Sequence, residues 1–171
     1  MRTAVGGAKV FEIVIIFMLI FVGYLTIMIN YSTAFKTKNE FLSMIEKYEG
    51  LRDGEFDPTS GTAHSIWIIN KYLANTGYKV TNDCPSGWWG ANDLSGGAQL
   101  KLNATNAYYC VKPSVTCPVS GGIANEGYYD IMLFLKFDLP VLGRIGGFTV
   151  KGQTNKLKYM QVSGLEGCTT I

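Results

Sequence analysis

The sequence predicts an α+β protein in which one long N-terminal helix packs on a head built around a mostly antiparallel sheet. Three observations support this fold class. An apolar run from Val10 to Ile29 contains one charged residue. Helical spacing of apolar residues then continues to Tyr48. After Gly77, clusters of turn residues alternate with short runs rich in aromatic and β-branched residues, which is typical of strands joined by tight turns.

The apolar run is long enough to cross a membrane. Its 20 residues span roughly 30 Å as a helix, the thickness of the hydrocarbon core of a bilayer, and Glu12 is its only charge. Arg2 and Lys9 precede the run and residues 30–35 carry no charge, so the positive-inside rule predicts a cytoplasmic N-terminus and an extracytoplasmic head. A cleaved secretory signal is the alternative, because residues 32–34 (Ser-Thr-Ala) would suit signal peptidase. The apolar part of such signals is usually shorter, about 7–15 residues.

The helix is predicted to continue beyond the membrane. Residues 33–48 contain no glycine or proline, and one side carries an apolar stripe made of Phe41, Leu42, Ile45 and Tyr48. Lys38, Asn39, Glu46 and Lys47 lie on the other side. We therefore expect one helix over roughly residues 10–49, stopped by Gly50, whose second half is amphipathic and covers part of the head.

The remaining elements follow from local patterns. Residues 52–58 are charged and contain glycine and proline, which predicts a loop. Residues 62–76 predict a second helix, ended by Gly77, with an apolar face of Ile66, Ile69, Tyr72 and Leu73. Strands are expected at 78–81, 99–102, 107–111, 128–139, 148–152 and 156–162. Residues 137–148 are predicted to be an apolar loop between two strands, either packed under the head or contacting another subunit.

Composition and motifs argue against several functional classes. The net charge of +2 and the absence of basic runs longer than two residues argue against nucleic acid as a partner. The single histidine, His64, has no motif-linked nucleophile or acid, and Asp130 and Asp138 are expected on the solvated face of one strand. We therefore predict no enzymatic activity, no cofactor and no metal site.

The four cysteines predict disulfides. Cys84, Cys110, Cys117 and Cys168 all follow the span, where an extracytoplasmic location allows oxidation, and an even count suggests two bridges. Three connectivities are possible, and the short separation weakly favours Cys110 with Cys117. A zinc site is the competing interpretation, but no Cys-x-x-Cys pair is present.

Trp88 and Trp89 are adjacent aromatic residues in a turn-rich segment, residues 84–93. An exposed pair of this kind can contact a ligand or a neighbouring subunit. The alternative is that one ring packs on a disulfide or on the core.

The start of the chain resembles the processing site of type IV pilin-like proteins. Gly7 is followed by Ala8, Glu12 is the fifth residue after Gly7, and the apolar run comes next. The resemblance covers about 40 residues. Within the superfamily the short leader and bulky head are similar to the minor, pseudopilin-like subunits of the tight-adherence pilus system. The sequence departs from the best-known members in having Ala8, where phenylalanine is common.

The resemblance implies a leader at residues 1–7, a transmembrane helix at 8–34 and an extracytoplasmic head at 35–171. A prepilin peptidase would cut between Gly7 and Ala8, and Glu12 would pair with the new amino terminus of a neighbouring subunit during filament assembly. The implied partners are that peptidase, other pilin subunits, a membrane platform protein and membrane lipid. The alternative function is a single-pass surface binding or adhesion protein that does not polymerise.

Overall fold

One very long helix, one short helix and a six-stranded antiparallel sheet make up the computed structural model of the chain. It describes residues 2–51, 65–76, 80–95, 99–120, 123–139 and 143–161, with only the backbone described at 2–8, 116–120, 123–125, 137–139, 143–147 and 159–161. The elements are α1 (Arg2–Lys47), α2 (Ser65–Asn75), β1 (Trp89–Ala91), β2 (Lys101–Leu102), β3 (Tyr109–Ser120), β4 (Ile123–Leu139), β5 (Gly143–Gln153) and β6 (Leu157–Gln161).

Helix α1 runs without interruption for 46 residues, through the apolar run and into the head. The end predicted near Gly50 is confirmed, and the cap is a Schellman motif. The amide of Gly50 donates to the carbonyl of Ile45 at 3.1 Å, and the amide of Glu49 donates to that of Glu46 at 3.2 Å. Glu49, at φ 53°, takes the left-handed position of this cap, and Gly50 after it also has a positive φ, 129°.

The sheet has the strand order β2-β1-β3-β4-β5, and β6 pairs with the first half of β4. All pairings are antiparallel, as predicted. The strand end predicted at residue 139 is confirmed by β4, but β5 begins at Gly143 rather than at the predicted residue 148. The predicted loop over residues 137–148 is therefore wrong in its described part. Cross-strand pairing simply persists to the end of this hairpin, with Leu139 opposite Gly143.

Other predicted elements changed in detail. The segment around the two tryptophans, predicted as loop, contains β1. Val80 and Thr81 are not in a strand, although the neighbouring Asn82 forms an isolated bridge with Ala107. The predicted loop at 52–58, His64 and the predicted cap at Gly77 lie outside the described residues.

The main core covers one face of the sheet, and a smaller cluster covers part of the other. On one face Tyr129, Ile131, Leu133 and Leu135 of β4 alternate inward and form the main core with the two helices. The apolar face predicted for α2 is confirmed by its buried Ile66, Ile69 and Leu73. A second, smaller cluster lies on the opposite face of β4, made by Ala104, Ala107, Cys110, Met132 and Phe134.

A chain of buried contacts joins the two helices through the sheet. Phe41 of α1 meets Tyr109 of β3 edge to face, with ring centroids 5.0 Å apart. The Tyr109 hydroxyl donates to the side-chain carbonyl of Asn70 in α2 at 3.0 Å. Since a buried polar group without a partner is costly, this bond allows both side chains to be fully buried.

Candidate assembly surface on the N-terminal helix

The first half of α1 projects from the head with its apolar side chains uncovered. Each large apolar side chain between Val10 and Ile29 is 44 to 68 % exposed. Within the described residues this is the one helix long and apolar enough to cross a membrane, and none of its apolar window is buried. A soluble monomer rarely exposes so large an apolar surface, so this half of α1 requires lipid or other helices around it.

Glu12 is an exposed acid near the start of this uncovered half. Lys9 precedes it by three residues and Ala8 by four, so both lie on the same side of α1 as Glu12. Among the described residues no hydrogen bond or ion pair reaches Glu12. An unpaired carboxylate at this position is costly in hydrocarbon, and its partner must come from the headgroup region or from another molecule.

Gly7 and Ala8 both lie within α1, one turn before Glu12. Their backbone is helical, and the helix continues from them to Lys47 without a break. Removal of residues 1–7 would therefore leave a helix that begins at Ala8 and has Glu12 one turn from its first residue.

The junction between the uncovered half and the head has no linker. The first side chain of α1 buried against the head is Asn30, at 7 % exposure, directly after Ile29. The buried line continues along one side of the helix through Ala34, Thr37, Phe41 and Ile45. The predicted stripe began only at Phe41, and the small or polar residues before it were missed; their spacing of three and four residues was the available signal.

The polar side chains of this buried line make their hydrogen bonds within α1. The Asn30 amide donates to the carbonyl of Thr26 at 2.9 Å, and the Thr37 hydroxyl donates to that of Thr33 at 3.0 Å. Because these side chains bond to carbonyls of their own helix, they can be buried without leaving a polar group unpaired. Their small size lets α1 lie close to β4 and β5. The helix and the sheet are thus packed together from the first residue after the span.

An aromatic and basic cluster lies beside the buried line of α1 at the same level. Tyr31 and Phe35 are half exposed, with ring centroids 5.1 Å apart, and Lys38 Nζ is 4.5 Å from the centre of the Phe35 ring. Tyrosine and basic residues are enriched where a transmembrane helix leaves the hydrocarbon. The cluster is consistent with a membrane boundary close to Asn30.

The two tryptophans are half-buried in the head. Trp88 packs on the smaller cluster, beside Cys84, and Trp89 packs against the main core from β1. The backbone amide of Asn103 donates a hydrogen bond to the carbonyl oxygen of Trp88 at 2.8 Å. These contacts agree with the alternative in which a tryptophan ring packs on the disulfide or on the core. A role in contacting a ligand or a neighbouring subunit stays a prediction.

One disulfide is present in the described residues. It joins Cys84 to Cys110, with their Cα atoms 5.7 Å apart. The pairing favoured from sequence, Cys110 with Cys117, is therefore wrong. The extended strand β3 carries Cys110 and Cys117 seven residues apart, which is too far for a bridge, whereas the turn that precedes β1 brings Cys84 under β3. The Cys117 side chain and Cys168 lie outside the described residues.

The described residues contain no cluster of acidic, histidine or cysteine side chains that could hold a metal ion. A cavity of about 230 Å³ lies between residues 80–82 and the paired strands β4 and β5. Its lining consists of Val80, Thr81, Asn82, Phe134, Phe148 and Thr149. None of these side chains titrates near neutral pH, so the cavity lacks an acid or a base.

Comparison with known proteins found no match among family models, curated proteins or solved structures. The class that the structure itself defines is an α+β protein with one candidate transmembrane helix near its N-terminus and a disulfide-bonded head.

Proposed function

We propose that the chain is a structural subunit, a pilin or pseudopilin, of a cell-surface filament or secretion apparatus. A prepilin peptidase cuts it after Gly7, and the N-terminal helix then assembles with those of other subunits. Before assembly the protein is held in the membrane by α1, with its N-terminus cytoplasmic and its head extracytoplasmic.

The observation that carries this proposal is the unbroken helix that joins an uncovered apolar half to a half packed in the head. An anchor needs only to hold a protein at the membrane, and a flexible linker serves that purpose. A filament subunit needs its head fixed relative to its helix, because the packing of the helices then sets the position of every head. The burial of α1 from Asn30 onward supplies that rigid connection.

Glu12 supports the same function through the cost of an unpaired charge. In a bundle of these helices the Ala8 ammonium of one subunit lies at a height set by the stagger between neighbours. A stagger of about 6 Å, the rise over four helical residues, brings it level with Glu12 of the next subunit. A different stagger leaves two charges unpaired among apolar side chains, so the pair selects the register of assembly.

The alternative, a membrane-anchored binding protein that does not polymerise, shares the span and the head. It differs in requiring neither a cut after Gly7 nor an acid at position 12. Both differences are measurable.

Intact-mass analysis of the mature protein from its native host tests the cut. We expect a chain that begins at Ala8. A chain that begins at Met1 or at Phe35 would contradict the proposal, since the first means an uncut anchor and the second a cleaved secretory signal.

Replacement of Glu12 by glutamine tests assembly. We expect loss of filaments in the sheared surface fraction, with membrane insertion retained or improved because a charge has been removed from the apolar run. Glu40→Gln is the matched control: it removes an exposed acid from the head half of the same helix and should leave filaments intact. Normal assembly of the Glu12→Gln protein would refute the role of this carboxylate.

A further inference from the structure

The chain contains two copies of the Asn-x-Ser/Thr pattern that defines an acceptor for N-glycosylation. They are residues 30–32 (Asn-Tyr-Ser) and 103–105 (Asn-Ala-Thr), and neither has proline in the middle position. The pattern by itself treats the two segments alike. The structure separates them, because an attached glycan is bulky and needs an asparagine whose amide nitrogen faces solvent.

Asn30 lies in the buried line of α1, at 7 % exposure. Its side-chain nitrogen Nδ2 donates to the carbonyl of Thr26 at 2.9 Å, and the residue lines a cleft with Leu135 and Phe148 of the sheet. A sugar on this nitrogen would break the bond to Thr26 and separate the helix from the strands. The first segment is therefore not an acceptor in the folded protein.

Asn103 lies in an exposed turn directly after β2. Its φ of 54° is in the left-handed region, which asparagine tolerates better than most residues. Its side-chain oxygen Oδ1 accepts a hydrogen bond from the backbone amide of Gly87 at 2.7 Å. Because a backbone amide can only donate, Oδ1 rather than Nδ2 must face Gly87. Among the described residues Nδ2 has no hydrogen-bond partner, so it is available for modification.

Thr105 completes the pattern without contributing to the turn. It is exposed, and within the described part of the chain its hydroxyl makes no hydrogen bond. Ala104 holds the turn instead, since its side chain is buried in the smaller cluster and its carbonyl accepts from the amide of Cys84 at 2.9 Å. The fold thus explains Asn103 and Ala104, whereas a hydroxyl at position 105 is explained by the acceptor pattern.

Attachment of a sugar would preserve the contacts of this turn. Nδ2 of Asn103 forms a bond to the first carbon of an oligosaccharide, and the bond from that carbon to the diphosphate of its lipid carrier breaks. The diphosphate leaves with the electron pair, and Nδ2 loses one proton. Oδ1 stays an acceptor in the product, so the bond from Gly87 is kept. Residues 85–87, across the turn, are exposed and leave room for the sugar.

We propose that Asn103 is N-glycosylated by transfer from a lipid-linked oligosaccharide and that Asn30 is not. Strand β2 ends the strand order on the side away from β5, whereas α1 packs mainly on β4 and β5. The glycan therefore lies at the sheet edge remote from the helix, where it does not obstruct contacts between N-terminal helices. This inference rests on the extracytoplasmic head of the proposed function and is independent of filament formation.

Mass spectrometry of the full chain purified from its native host tests the site. We expect glycopeptide fragments that place a glycan on Asn103 and an unmodified peptide at Asn30. In Thr105→Ala the intact mass should fall by the mass of this glycan. Thr105→Ser is the matched control, because it keeps the hydroxyl that the pattern requires and should keep the glycan. Formation of the Cys84–Cys110 bridge confirms that each variant is folded.

Wild-type protein that has the bridge but no glycan at Asn103 overturns the inference and leaves the proposed function standing. A glycan at Asn30 also overturns it, since exposure of the amide nitrogen then does not select the site. Retention of the glycan in Thr105→Ala has the same effect, because the sugar is then attached elsewhere. Free thiols at Cys84 and Cys110 in the native protein would contradict the extracytoplasmic head, and with it both proposals.

Discussion

Replacing Phe41 with alanine should uncouple the long helix from the head, because this side chain is fully buried where α1 crosses the sheet. Removing a buried phenylalanine ring costs about 3–5 kcal/mol, through lost transfer free energy and the cavity left behind. The edge-to-face contact with Tyr109 adds about 0.5–1.5 kcal/mol beyond the buried area, so we expect the upper part of that range. For a chain of this length 4 kcal/mol corresponds to a fall in Tm of roughly 8–16 °C.

The measurement is thermal unfolding of the full chain in detergent micelles, followed by near-ultraviolet circular dichroism with the disulfide intact. Phe35→Ala is the matched control, since it removes the same ring from the same helix at a position that is 40 % exposed, and it should change the free energy of unfolding by less than about 1 kcal/mol. Equal losses for the two variants, or a loss below about 1 kcal/mol for Phe41→Ala, would refute the packing argument.

Three further predictions concern the head. Burial raises the pKa of Tyr129 from 10.0 to about 12, so above pH 10 the folded state keeps a proton that the unfolded state loses. The free energy of unfolding should therefore be highest below pH 10 and fall by about 2–3 kcal/mol between pH 10 and 12. Urea titrations across this range should show the fall in the wild type and not in Tyr129→Phe. Glu49→Gly should stabilise the protein by about 1 kcal/mol in the same titrations, because glycine adopts the left-handed cap conformation without strain; a destabilised variant would contradict the cap assignment. Gly90→Ala should destabilise the protein and hinder oxidation of the bridge, since a Cβ at this position overlaps Cys84 Sγ and lies 2.9 Å from Ala104 Cβ; normal thiol oxidation and an unchanged Tm would show that the turn can shift.

Local patterns were sufficient for the elements but not for their contacts. The uninterrupted helical spacing before Gly50 predicted a helix that runs from the span into the head, and the structure confirms it. The choice of Glu49 as the left-handed residue depends on hydrogen bonds that close the last turn, which a search for glycine does not detect. Likewise residues 137–148 were predicted to be a loop, yet cross-strand pairing keeps their described residues, 137–139 and 143–148, extended.

The cysteine pairing shows most clearly where sequence information ends. Proximity in the chain favoured Cys110 with Cys117, but an extended strand separates residues that are close in sequence, and a turn brings Cys84 across to Cys110. The same holds for Asn30, Ala34 and Thr37: short, weakly apolar side chains have no strong burial preference of their own. Their burial is determined by how closely the sheet approaches the helix.

Composition and spacing along single elements were enough to identify an apolar run long enough to cross a membrane, the acid at position 12 and the α+β class. The three-dimensional structure was needed to show where the head begins on α1, which cysteines meet and how far the pairing of β4 with β5 extends. These depend on distances between segments remote in the chain, which are set by packing of the whole sheet against the helix.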